Sequence, residues 1–77
     1  MDSRDLAEAL ANQRQIPRDA YCLQGGLPNE SYCLGREQDG KWCTYYSERG
    51  LRTGLKIFDS EDIACRHLLS ELLRIFQ

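Results

Sequence analysis

The chain's single histidine, His67, stands two residues from Cys65, the one place where a thiol nucleophile and a base lie close in sequence. Side chains two apart on a helix point roughly 160–200° away from each other, so a helical stretch keeps this pair from working together. His67 is expected on the solvent side with Ser70, Glu71 and Arg74. No Ser/His/Asp set, paired-carboxylate motif or cofactor fingerprint occurs, so neither an enzyme nor a bound cofactor is expected. The four cysteines, Cys22, Cys33, Cys43 and Cys65, include no CxxC pair, and structural zinc sites normally draw on close-spaced ligands. Free buried or half-buried thiols are expected, without metal.

Basic residues offer a second chemistry. Eight of the ten are arginine, the residue suited to bidentate recognition of carboxylate or phosphate. Residues 47–54 carry Arg49 and Arg52 with two glycines, and Lys56 follows. This is not a phosphate-binding P-loop, because no Gly-Lys-Ser/Thr follows and a strand rather than a helix comes next. It reads as a hairpin tip whose arginines could meet an acidic partner.

A third candidate is a hairpin spanning residues 31–49 and turning at Asp39-Gly40, a pair that favours the type I′ turn. With Gln38 opposite Lys41, Cys33, Gly35, Trp42, Thr44 and Tyr46 share one face, and Tyr32, Leu34, Arg36, Cys43 and Tyr45 the other. The Trp42 face has small residues where a helix can approach. Tyr21, Leu23, Cys33, Trp42, Tyr46, Leu55 and Ile57 are therefore expected in the core. The outward set is rich in tyrosine and arginine, as interfaces are. An interaction surface of Tyr32, Leu34, Arg36, Cys43 and Tyr45, with Arg49 and Arg52 beside it, follows.

Around these residues the pattern predicts a first helix over residues 3–14, capped by Asp2 or Ser3, then a strand over 20–24. A turn-rich loop, the two hairpin strands and a short strand at 55–58 come next. The last helix carries an Asp59 cap, acidic residues in its first turn, and a Phe58/Ile63 staple. Ala64, Cys65, Leu68, Leu69, Leu72, Leu73, Ile75 and Phe76 form its broad apolar stripe. The expected fold is α+β in the order α-β-β-β-β-α: an antiparallel meander with the last helix on one face, in one domain over residues 1–77.

A chain of 77 residues buries only roughly 60% of its unfolded surface, so association would add useful stability. A net charge of −2 with interleaved signs gives no general attraction for nucleic acid or anionic lipid. The acidic start, Met-Asp-Ser-Arg-Asp, lacks the layout of a secretory signal, and a cytoplasmic location is expected. The order of elements is also that of the double-stranded RNA binding domain. That family's final helix begins with lysines, where this chain has Asp59-Ser60-Glu61-Asp62.

Tyr32-Cys33-Leu34, Trp42, Tyr45-Tyr46-Ser47-Glu48-Arg49-Gly50 and Phe58-Asp59-Ser60-Glu61-Asp62 with Ala64-Cys65 resemble a family of small uncharacterised bacterial domains, over about residues 20–70. The resemblance implies a free-standing bacterial module without known activity, of a kind sometimes encoded beside toxins as immunity or accessory proteins. It carries over no site residue. The expected function is a small interaction or adaptor domain, self-associating as a homodimer through the outer sheet face. The alternative is a nucleic-acid-binding module.

Overall fold

The computed structural model describes all of residues 1–77: helix α1 (Ser3–Ala11), a 3₁₀ turn (Arg18–Ala20), strands β1 (Tyr21–Cys22), β2 (Ser31–Arg36), β3 (Trp42–Glu48) and β4 (Leu51–Phe58), and helix α2 (Glu61–Ile75). The α+β class and the element order are as the sequence predicts. The sheet follows chain order, β1-β2-β3-β4, but β1 runs parallel to β2, so it is mixed and not a pure antiparallel meander.

The reason lies in Gly25 and Gly26, both at positive φ (71° and 81°), which fold the chain back over the sheet after two residues of β1. The Gly25 N–H donates to the Leu34 carbonyl at 3.0 Å, and the Tyr45 hydroxyl donates to the Gly26 carbonyl at 2.7 Å. The returning loop thus becomes a lid on the sheet instead of a hairpin turn.

The β2/β3 register also differs from expectation. Arg36 pairs with Trp42, Leu34 with Thr44 and Tyr32 with Tyr46, one residue away from the Gln38/Lys41 frame. A three-residue loop closes the hairpin: the Glu37 N–H donates to the Lys41 carbonyl at 2.7 Å, and Gly40 follows the turn at φ 89°. This type I turn with a left-handed glycine is the three-residue alternative to type I′. The slip moves Tyr32, Leu34 and Arg36 to the side of Trp42 and sends Cys33 and Gly35 to the side of Cys43 and Tyr45. Packing favours it, since Leu34 is then fully buried under the helices, a gain of about 1.5–3 kcal/mol over exposure. Gly35 falls where a side chain would be tightly crowded. A Cβ there would lie 3.2 Å from both Cys43 Sγ and Tyr45 Cε1.

Two cores result, one on each side of the sheet. Leu6, Leu10, Ile16, Leu34, Ala64, Cys65, Leu68 and Leu72 bring α1, α2 and β2 together, with Tyr21, Leu23, Tyr32, Trp42 and Phe58 at the margin. Cys33, Cys43 and Tyr45, with Cys22 against them, form the second under the glycine lid. Cys33 is thus core on the face opposite to the one expected. Leu55 and Ile57 are not core at all, being 42% and 47% exposed.

The helix ends are set locally. Asp2 and Asp5 make a reciprocal capping box, and α1 stops at Ala11, short of the expected residue 14. It docks beside α2, where the Ser3 N–H donates to Glu61 at 2.9 Å. Ser60, not Asp59, caps α2 by accepting from the Ile63 N–H at 3.2 Å. That shift removes the staple: Ile63 is 55% exposed, and Phe58 packs against His67 with ring centroids 5.1 Å apart. No helix is long and apolar enough to cross a membrane.

Candidate functional site

Leu51-Arg52-Thr53-Gly54-Leu55-Lys56-Ile57-Phe58 forms one continuous strand, where the sequence pattern suggested a loop and a short strand. Arg49 and Gly50 supply the tight turn before it, both at positive φ (53° and 76°) as a type I′ turn requires. The turn type expected at Asp39-Gly40 therefore occurs ten residues later. Arginine is an unusual occupant, and its N–H donates to Asn29 Oδ1 at 3.3 Å. Between the pairs Thr44/Lys56 and Tyr46/Thr53 the strand accommodates one extra residue, a bulge with Gly54 at φ 64°.

β4 is the last strand of the sheet on one side, with β3 as its only neighbour. The opposite edge, β1, has two residues; β4 has eight. A long edge presents a row of unpaired N–H and C=O groups, a template for another strand. Leu51, Leu55 and Ile57 stand exposed along it at 65%, 42% and 47%. Ile57 lies opposite Cys43, which places it on the side of the sheet away from the helices, and Leu55 follows by the two-residue period. Leu27, 55% exposed on the glycine lid, adds apolar surface on that side. Arg52 and Lys56 interrupt the apolar run, as charges do on edges that must not aggregate.

Between lid and edge, Gly25, Leu27, Gly35, Cys43, Tyr45 and Arg52 line a shallow depression of about 260 Å³. Arg52 crosses it, 3.4 Å from Glu37 and 5.2 Å from the centre of the Tyr45 ring. The thiols below are held protonated. Burial pushes Cys33 up to about 11 and raises Cys43 as well, and burial takes the Tyr45 hydroxyl up to about 12. All four cysteines are free.

The seven residues expected to form an interaction surface are dispersed by the register. Tyr32 and Leu34 face the helices, Tyr32 half-buried with its ring 4.6 Å from Tyr46 and Leu34 buried outright. Arg36 is exposed, its guanidinium 5.1 Å from the Trp42 ring centre. Cys43 and Tyr45 are buried on the other side. Arg36, Cys43, Tyr45 and Arg52 line the depression under the glycine lid, and Arg49 is exposed in the turn before β4. The single outward face thus does not exist, because the three-residue loop sends its β2 and β3 members to opposite sides. Pattern reading placed Leu55 and Ile57 in the core and Leu51 in a loop, because Gly54 breaks the alternation of the strand that in fact runs through it.

Glu61 and Asp62 occupy the first turn of α2, charges that repel a phosphate backbone. The chain matches no family model, no curated protein and no solved structure.

Proposed function

We propose that the chain is a small protein-interaction module whose working surface is the β4 edge, and that a second copy of the chain is its first partner. One observation carries this reading: an eight-residue edge strand with Leu51, Leu55 and Ile57 uncovered, in a molecule whose other edge is closed down to two residues. Strand addition recognises its partner through main-chain hydrogen bonds, with alternate side chains supplying selectivity. A two-fold contact is self-complementary, so the Leu55/Ile57 strip serves both protomers. An axis through Leu55 sets the two Leu55 side chains across from each other, whereas an axis through Lys56 opposes two like charges. The module would act in the cytoplasm of a bacterium, as the motif resemblance implies, as an adaptor or accessory protein without catalysis. Light scattering of the wild type and of Leu55→Lys tests it. Twice the monomer mass for the first and the monomer mass for the second are expected. A monomer in both cases refutes self-association.

A further inference from the structure

α2 packs beside α1 over β2, β3 and the end of β4, where Phe58 meets His67, and leaves a gap over the exposed Thr53, Gly54 and Lys56 earlier in β4. Against that gap the bulge at Gly54 bends β4, and a cleft of about 290 Å³ opens between strand and helix. This is close to the lower bound of small-molecule sites. Its floor is apolar, made by the paired Tyr32 and Tyr46 rings, Leu68 and Ile75. Lys56 from β4 and His67 and Arg74 from α2 converge on its polar side. One acidic residue, Glu71, stands among them: Arg74 donates to one of its oxygens, and His67 Nε2 lies 3.7 Å from the other. Lys56 has no ion pair. In a chain of net charge −2, the cleft therefore holds two fixed cations and a histidine against a single carboxylate.

We propose that this cleft binds a small organic carboxylate, with the acid group held by Lys56 and His67 and a ring or short hydrocarbon body resting on Tyr32, Tyr46, Leu68 and Ile75. Glu71 already shows that the cationic side accepts a carboxylate, and it occupies Arg74, leaving Lys56 and His67 for the ligand. The apolar floor selects an acid with a body over a bare anion, since only the former removes those rings and side chains from water. The inference does not depend on the β4 edge being paired, because every lining group belongs to one chain.

Phenylacetate is a suitable probe, with 2-phenylethanol as its uncharged counterpart and inorganic phosphate as a bare anion. Amide chemical shifts of the full chain should respond saturably to phenylacetate at Gly54, Lys56, His67 and Glu71, with a dissociation constant of about 1 mM or tighter. Both controls should be at least about tenfold weaker, a difference of about 1.4 kcal/mol. Lys56→Glu, a change at an exposed position, should keep the folded spectrum and weaken phenylacetate by at least about tenfold. Tyr46→Ala should weaken phenylacetate but not phosphate. Absence of saturation, equal binding of either control, or unchanged affinity in folded Lys56→Glu would overturn the proposal.

Discussion

Gly35 and Leu34 are neighbours in sequence with opposite obligations, and together they hold the β2/β3 register. Leu34→Ala should cost about 2–5 kcal/mol, because a fully buried leucine leaves a cavity among Leu6, Leu10 and Leu68. Gly35→Ala should cost about 1–3 kcal/mol through overpacking against Cys43 and Tyr45. Urea unfolding measures both; a near-neutral Leu34→Ala would restore the register in which Leu34 points outward. Ser47 tests a different term. Its hydroxyl is the buried side-chain atom without a hydrogen-bond partner, so Ser47→Ala should leave stability unchanged or raise it by up to about 1 kcal/mol. Titration adds a pH signature. Cys33 and Cys65 are raised from the ordinary 9.0 to about 11 and Tyr45 from 10.0 to about 12, chiefly by burial. A folded value above the unfolded one means that the unfolded chain loses its proton first. The contribution is therefore whole below about pH 9 and is lost as pH rises through about 11 for the thiols and 12 for the tyrosine. Urea midpoints should fall steadily above about pH 9, and a flat profile from there to pH 11 would contradict the buried, protonated thiols.

At the scale of elements, legibility followed how local the determining contact is. α2 could be read because its acidic first turn and apolar stripe lie within one stretch of chain, although its cap is one residue later than expected. The division of β2 from β3 was also legible. Their register was not, since Asp39-Gly40 suits both a two-residue and a three-residue loop, and the choice rests on Leu34 meeting α1 and α2, contacts distant in sequence. β1 was assigned the wrong direction for a similar reason: Gly25 and Gly26 permit a hairpin turn, but Tyr45 on β3 captures the loop and folds it over the sheet. The hairpin tip at residues 47–54 was read, but its tightening to a two-residue turn at Arg49-Gly50 was not, because arginine seldom takes positive φ. These elements also differ in what they tolerate. Ile57→Lys and Leu55→Lys replace exposed side chains outside both cores, so each should change monomer stability by about 0.5 kcal/mol or less. A loss comparable to that of Leu34→Ala would show that β4 is packed against something within its own chain.

For the whole molecule, the balance of surfaces follows from size. Two helices and a four-stranded sheet close one core between α1, α2 and β2 and a smaller one under the glycine lid, and leave residues 51–57 of β4 exposed. The uncovered strand is where association adds most, because its backbone groups and its Leu51, Leu55 and Ile57 side chains are still in water. The deciding measurement is the solution mass of the chain over a wide concentration range, by light scattering or sedimentation, alongside Leu55→Lys. The wild type should approach twice its 8.9 kDa mass while folded Leu55→Lys stays at 8.9 kDa. A wild type that remains at 8.9 kDa throughout, or a Leu55→Lys variant that still dimerises, would contradict pairing through β4.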